Sequence, residues 1–439
     1  MLQRKIQTYI RDYLTQGSER ILLIDGARQV GKTYIIRHEG RQLFPNFVEV
    51  NMEEDAVGHR LFAEVRTVSD FYLALSVVAG SRLGTKRDTL VFLDEIQRYG
   101  NLLTLLKFLR SDDRFTYIAS GSLLGVALRL TSSIPLGSID VQRVYPLDFE
   151  EFLWANGVGR AAIEAISDGL AQRKPLSEGL HGRLMDLFRK YLLVGGLPAA
   201  VSSFVTEFNI VKVRNIQQQI YDLYLVDASR YETAMGKLKI RRIYQMLPSN
   251  MMNRKKRIVA QDIEGIRGKR METYQDEFEY LVASGIALEV RASSKPAYPL
   301  LQNAGKNLLK LYVSDVGILT ALLYKQNIQP IMDDVRSINL GAVYETVVAQ
   351  ELAAHGHPLY YFDNKKMGEV DYLIDDAQSL SVCPIEVKSG RDYLIHHAIS
   401  RLLAVEEYGI RKAYVLSNER RVWTEGGITY LPIYCVMFL

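Results

Sequence analysis

Short apolar runs separated by mixed stretches set the pattern of the first third of the chain. Ile21-Leu22-Leu23-Ile24, Phe47-Val48-Glu49-Val50-Asn51, Thr89-Leu90-Val91-Phe92-Leu93 and Phe115-Thr116-Tyr117-Ile118-Ala119 each have the length and content of a buried strand. Residues 141–145 supply a further strand, and residues 33–38 start like a helix. In residues 146–153 a proline followed by acids predicts the first turn of a helix, matched to the helix dipole. This alternation predicts an α/β domain with a parallel sheet over residues 1–155. Residues 156–230 follow a helical pattern broken by Val194-Gly195-Gly196-Leu197-Pro198, which reads as a helical lid. Residues 231–328 predict a winged-helix unit: helices over 243–251, 260–266 and 272–284, a strand in Ser284-Gly285-Ile286-Ala287-Leu288-Glu289-Val290, and a return strand at Lys310-Leu311-Tyr312-Val313. In residues 329–439 a helix over 340–352 precedes alternating strands and helices, a second α/β domain.

Composition narrows this picture in a few places. A chain of 439 residues exceeds one ordinary core, so two to four domains are expected. Hydrophobic residues make up 48% and charged residues 24%, the balance of a globular protein. No apolar run is long enough to span a bilayer, and the one near residues 311–324 is interrupted by Asp315. Met1-Leu2-Gln3-Arg4-Lys5 leads into a mixed pattern without an apolar signal core, so a cytoplasmic location is expected. Cys383 and Cys435 lie in strand-like runs, which argues against a disulfide framework or a zinc site. A net charge of +4 is too mild to imply nucleic acid for the whole chain. Its distribution says more: Lys237, Lys239, Arg241, Arg242, Arg254, Lys255, Lys256, Arg257, Arg267, Lys269 and Arg270 face only Asp262 and Glu264. This 237–270 segment either touches DNA phosphates or is a solvated face.

The first candidate chemistry follows the first strand. Gly26-Ala27-Arg28-Gln29-Val30-Gly31-Lys32-Thr33 fits G-x-x-x-x-G-K-[ST] between a strand and a helix. Such a turn points successive N–H groups at phosphate oxygens, with the positive helix end behind them. Lys32 would reach the β- and γ-phosphates of ATP, and the Thr33 hydroxyl would complete a Mg²⁺ shell. Asp94-Glu95 ends the third apolar run, where carboxylates in a parallel sheet meet ligands. Asp94 would hold Mg²⁺ through water and Glu95 would polarise the attacking water. Ser120-Gly121-Ser122 ends the next run; Ser120 and Ser122 either contact the γ-phosphate or its water, or form a plain turn.

A second constellation lies near the C-terminus. Gly368-Glu369-Val370-Asp371-Tyr372-Leu373-Ile374 and Pro384-Ile385-Glu386-Val387-Lys388-Ser389-Gly390 both read as strands. Alternation puts Glu386 and Lys388 on one face and turns Ile385 and Val387 to the core. If the strands pair, Asp371 joins them, and the carboxylates can hold Mg²⁺ or Mn²⁺ while Lys388 orients or deprotonates a water. Glu345 on the preceding helix can complete the cluster. The alternative is a Glu–Lys pair on a solvated sheet face. His396 and His397 are adjacent and share no helix face, and His355 and His357 flank a glycine; none suggests a metal site.

Over nearly its full length the sequence resembles a bacterial and archaeal family of AAA-type P-loop ATPases with an uncharacterised C-terminal domain bearing restriction-endonuclease-like motifs. The likeness rests on residues 26–33, Leu93-Asp94-Glu95-Ile96-Gln97, Tyr145-Pro146-Leu147-Asp148-Phe149-Glu150-Glu151-Phe152 and residues 191–198. It continues through Lys310-Leu311-Tyr312-Val313-Ser314-Asp315, Gly341-Ala342-Val343-Tyr344-Glu345, and the strands around Asp371 and Glu386. The resemblance implies phosphate and Mg²⁺ binding by Lys32 and Thr33, metal and water roles for Asp94 and Glu95, and a PD-(D/E)XK pattern at Asp371, Glu386 and Lys388. Many relatives carry a Gly-Arg pair before the Tyr-Pro-Leu segment; here the chain reads Pro135-Leu136-Gly137-Ser138-Ile139-Asp140, leaving Arg129 and Arg143 as arginine-finger candidates. A homo-oligomer supplying that arginine in trans is compatible with the family. The implied activity is Mg²⁺-dependent ATP hydrolysis coupled to a winged helix and a nuclease-like module. An ATP-gated DNA- or partner-binding regulator and an ATP-controlled DNA nuclease are the alternatives.

Overall fold

The computed structural model describes residues 2–130, 137–227, 234–253, 256–333, 340–389, 394 and 396–439. Two compact units emerge: Gln3–Tyr145 with Ala283–Gly285, and Pro146–Val282 with Ile286–Leu439. The first unit therefore ends ahead of the expected boundary at residue 155. The helix Phe149–Ala155 belongs to the second unit. Pro146 also lies outside that helix. Asp148 is the N-cap, in a reciprocal capping box with Glu151.

The first unit is built on five parallel strands, β1 (Ile21–Asp25), β2 (Asn46–Asn51), β3 (Thr89–Asp94), β4 (Thr116–Ser120) and β5 (Ile139–Arg143), in the order β2-β3-β4-β1-β5. This is an α/β arrangement with a wholly parallel five-stranded sheet. Strands β1 and β3 are buried along their whole lengths, which explains their unbroken apolar sequence. Leu23, Val91, Leu93, Ala119 and Ile139 pack with Phe71, Leu102 and Leu106 from the covering helices. Because β3, β4 and β1 are neighbours and parallel, the segments that follow them leave the sheet at one edge.

The second unit holds an eight-stranded mixed sheet. Its strands are β6 (Ala287–Ser293), β7 (Ala304–Val313), β8 (Tyr360–Asn364), β9 (Gly368–Asp376), β10 (Ser381–Val387), β11 (Ala413–Ser417), β12 (Trp423–Glu425) and β13 (Ile428–Pro432), ordered β12-β13-β11-β10-β9-β8-β6-β7. The helices Ala234–Met252, Ala260–Glu264 and Gln275–Ala283 precede β6 and β7 as the sequence predicted, and β6 and β7 pair antiparallel. They do not form an isolated wing, however. Strand β6 also pairs with β8, so both strands extend the sheet of the C-terminal region. Arg291 and Ala292 of β6 register with Tyr360 and Tyr361 of β8, so the expected wing strands and the C-terminal strands share one sheet. Among the described residues no helix is long and apolar enough to cross a membrane.

The Gly195-Gly196 break has a second cause besides stopping a helix. A Cβ on Gly195 would collide with the Asp315 carboxylate, and one on Gly196 with the Leu147 carbonyl oxygen. Gly196 N–H donates to Asp315 Oδ2 at 2.7 Å, and Leu147 N–H donates to Gly196 O at 2.7 Å. Beside this crossing lies Glu351, fully buried on the helix Gly341–Ala354. Its Oε1 accepts from Phe149 N–H at 2.8 Å and lies 3.0 Å from the Tyr191 hydroxyl.

Burial, with nearby Asp148, raises the Glu351 carboxyl from 4.5 to about 8, while His355 pulls the other way. Between these values the native state binds a proton that the unfolded chain has released, so stability falls as pH rises through that window. Glu351→Gln removes the dependence. Urea melts are expected to show the variant more stable than the natural chain above pH 8 by roughly 1–3 kcal/mol. Identical pH profiles would show that Glu351 is ionised in the native state.

Candidate functional site

The first site is built where β1, β3 and β4 end. The turn between β1 and the helix Lys32–Leu43 needs its glycines. Gly26 has φ +142°, and a Cβ there would strike the Val144 carbonyl oxygen; Gly31, the helix N-cap, has φ +96°. From the N-terminal end, the buried Arg4 holds this loop, donating to Val30 O at 3.0 Å and to Tyr145 O at 2.7 Å. Its role is invisible in the sequence, because nothing near Arg4 marks it as a partner of residues 30 and 145.

Lys32 is only 7% exposed and its ammonium donates to the carbonyls of Gly26 and Ala27, each at 2.7 Å. Burial lowers its pKa to about 8, opposed by the charges of Glu95, Asp25 and Asp94. Thr33 Oγ1 donates to Asp94 Oδ2 at 3.0 Å, and Ser120 Oγ donates to Asp94 Oδ1. Burial raises the Asp94 pKa, offset by Ser120 and increased by Glu95. Glu95 sits in left-handed backbone geometry, φ 53° and ψ 42°, which is uncommon for a residue with a side chain. Burial pushes its carboxyl up, but Gln97, Lys32, Ser122 and Arg28 together bring it below the ordinary value. Glu95 Oε2 accepts from Gln97 Nε2 at 2.5 Å and from Ser122 Oγ at 2.9 Å, and Arg28 Nε donates to Ser122 Oγ at 3.3 Å.

The structure thus gathers Lys32, Thr33, Asp94, Glu95, Ser120 and Ser122 at one edge, with the serines bonded to the two carboxylates. Gln97 belongs with them; only its place two residues after Glu95 could have signalled it. Its Oε1 is buried with no partner, as is Asp25 Oδ1. Arg143 is committed to Asp25 through an ion pair of 2.7 Å, a poor posture for an arginine finger. The Arg129 side chain lies outside the described residues. For Mg²⁺ the donor set is suitable: a buried carboxylate and a hydroxyl, all oxygen, already within bonding distance of one another.

Residues 18–153 match the family model of an AAA domain. The match and the loop geometry support an AAA-type P-loop ATPase, and with it ATP binding and hydrolysis. Residues 185–329 and 340–436 match two domains of unknown function, DUF8612 and DUF4143. No curated protein matches the chain. Among solved structures, the Walker-type ATPase PABY2304 of Pyrococcus abyssi is 14% identical over 74% of this chain and 96% of that chain, with a TM-score of 0.45. AMPPCP-bound DnaA from Aquifex aeolicus is 10% identical over 62% of this chain and 86% of its own, with a TM-score of 0.28. At these scores the likenesses add nothing to what the site itself shows.

The second site lies in the other unit. Strands β9 and β10 pair antiparallel with Tyr372 opposite Ile385, and Val387 N–H donates to Asp371 Oδ2 at 2.8 Å. Glu386 is not on a solvated face: every residue of β10 is buried. Its Oε1 accepts from Lys388 Nζ at 2.7 Å, and its Oε2 is buried without a partner. Glu345, on the helix Gly341–Ala354, accepts from Tyr312 Oη at 3.0 Å and is ion-paired with Lys256. Burial raises the Asp371 pKa far above the ordinary carboxylate value, reinforced by Glu386 and Glu345. The three carboxylates are therefore neighbours, yet among the described residues no three acidic, histidine or cysteine side chains are arranged to hold a metal ion. Arg254 and Lys255 lie outside the described residues, and His396 bonds Tyr430 at 2.5 Å.

The lowered Lys32 pKa fixes a pH dependence for the nucleotide site. The charged ammonium binds phosphate, and above about 8 the free protein loses that proton. A fluorescent ATP-analogue titration is expected to give constant affinity below pH 8, weakening by up to about tenfold per unit above it. Lys32→Ala should bind weakly at every pH. A natural chain insensitive to pH would mean that Lys32 does not meet the phosphates.

Proposed function

We propose that this protein is a Mg²⁺-dependent ATPase whose nucleotide state controls a nuclease-like C-terminal module. The observation that carries the proposal is the convergence of Lys32, Thr33, Asp94 and Glu95 at the ends of β1 and β3, the two parallel strands that flank β4. In this reading the N–H groups of Gly26, Ala27, Arg28, Gln29, Val30, Gly31 and Lys32 cradle the phosphates. The Lys32 ammonium leaves the carbonyls of Gly26 and Ala27 to neutralise charge on the β- and γ-phosphates. Thr33 and Asp94 would hold Mg²⁺, which would supply charge neutralisation at the transferring phosphoryl group. Glu95 stays ionised and, steered by Gln97 and Ser122, accepts a hydrogen bond from the attacking water.

In the second unit the reading assigns Asp371, Glu386 and Glu345 as the oxygen donors for a divalent cation, with Lys388 orienting a water toward a phosphodiester. The buried, unpartnered Glu386 Oε2 supports it, because such an atom is costly unless something in the working state satisfies it. The basic helices over 237–270 are proposed as the DNA-contacting face.

Two experiments separate the parts. Glu95→Gln should retain ATP binding and lose at least about 100-fold in phosphate release. A variant that hydrolyses ATP at the natural rate removes Glu95 from the mechanism. Plasmid and single-stranded DNA should be nicked in Mg²⁺ or Mn²⁺ by the natural chain and not by Glu386→Ala, with ATP altering the rate. Intact DNA under all metal and nucleotide conditions favours the second reading, an ATP-gated regulator that binds DNA or a partner.

A further inference from the structure

The first unit takes in a short segment from far along the chain. Ala283, Ser284 and Gly285 belong to it, while their neighbours Val282 and Ile286 belong to the second unit. The elements that build the nucleotide site converge on this segment. At the phosphate loop, a Cβ on Gly285 would lie 3.0 Å from Ala27 N and 3.4 Å from Ala27 Cβ. Gly285 also has φ +77°, so this approach needs a glycine. At the ends of β1 and β5, Arg143 Nη2 pairs with the Asp25 carboxylate at 2.7 Å and donates to Ala283 O at 2.7 Å. Beyond β4, the helix Leu124–Leu130 follows Ser120-Gly121-Ser122 and carries Gly125. A Cβ on Gly125 would lie 2.8 Å from the same Ala283 O and 3.3 Å from Arg143 Nη2. The Ala283 carbonyl is thus lodged between a glycine and an arginine already anchored at the end of β1. Ser284 between these contacts is buried. Residues 283–285 lie outside the AAA match at 18–153, and through Ile286 they run directly into β6.

We propose that residues 283–285 are a strap that couples the phosphate loop to β6, with Arg143 as the positioning residue that anchors it. The proposal rests on ATP binding at the loop and is independent of any cleavage chemistry at the C-terminal carboxylates. Ala27 N–H is one of the groups that cradle the phosphates in the ATPase reading, and Gly285 packs on the backbone that carries it. Ordering of the loop around a phosphate therefore restricts Gly285. The strap has little slack to absorb that restriction, because two peptide units span at most about 7 Å and Ala283 O is pinned by Arg143. The restriction passes instead to Ile286 and β6. Arginine suits the anchor, since its planar fork can hold a carboxylate and a carbonyl in fixed relation. Arg143, a candidate arginine finger by sequence, thereby has a task within its own chain. Linkage makes the coupling reciprocal: whatever orders the strap tightens ATP binding by the same factor.

Hydrogen exchange of the full-length protein, read by mass spectrometry with and without a non-hydrolysable ATP analogue and Mg²⁺, tests the strap. In the natural chain the analogue is expected to slow exchange about tenfold in the phosphate loop and also in residues 283–290. In Arg143→Gln at saturating analogue the loop should still be slowed, while residues 283–290 change by less than about twofold. Gly285→Ala should weaken analogue binding about tenfold, because the added Cβ presses on Ala27. Slowing confined to the loop in the natural chain overturns the strap and leaves ATP binding standing. So does slowing of residues 283–290 that survives in Arg143→Gln, or unchanged affinity in Gly285→Ala. No slowing of the loop in the natural chain overturns ATP binding and the strap together. The first arm uses the unaltered chain, so it decides the matter even if a variant folds poorly.

Discussion

Parallel pairing of β3, β4 and β1 is the constraint on which the nucleotide site depends. Three adjacent strands running the same way deliver three chain segments to one edge without any of them being close in sequence. The phosphate loop follows β1, the acidic pair follows β3, and the two serines follow β4. Since β1 and β3 are buried along their whole lengths, a slip in register would bring polar residues into the core. The packing that fixes the sheet therefore also fixes the distances among Lys32, Asp94 and Glu95. Arg4 adds a clamp from outside the sheet, tying the loop at Val30 to the backbone just beyond β5.

Both units keep charge in places water does not easily reach, and they manage it differently. In the first, the Lys32 ammonium rests on two backbone carbonyls rather than on a carboxylate. Carbonyl dipoles satisfy its hydrogens without neutralising its charge, so it remains available to a polyanion, while burial lowers its pKa. A direct pair with Glu95 would be more stable but would have to be broken for every phosphate bound. In the second unit the lysines do sit on carboxylates, at Glu386 and at Glu345.

What could be read from the sequence was what is local. The strand–loop–helix around Lys32, the acidic end of β3 and the apolar strands depend on neighbours in the chain, and their pattern survives in one dimension. Residues whose roles depend on distant partners were hidden. Gly195 and Gly196 looked like a helix stop, yet their closest constraints are Asp315 and Leu147. Lys256 looked like one member of a basic run, and its partner is Glu345. The sheet's continuation past the expected wing was hidden for a related reason: antiparallel order predicts that β6 and β7 pair, but nothing local says that β8 will take the other edge of β6. Alternation along β10 likewise suggested one solvated face, and burial of the whole strand reflects layers contributed by other parts of the chain.

Glu345 shows why a carboxylate site in such a sheet needs a partner from outside it. The helix Gly341–Ala354 is buried on nearly every side, so its glutamates have no route to water. Glu351 meets this by holding a proton, which suits a group surrounded by a tyrosine, a backbone N–H and another acid. Glu345 lies beside Asp371 and Glu386 and is met instead by the Tyr312 hydroxyl and the Lys256 ammonium. Two glutamates on one buried helix are thus met by different partners, one by a tyrosine and a backbone N–H, the other by a tyrosine and an ammonium from outside the sheet.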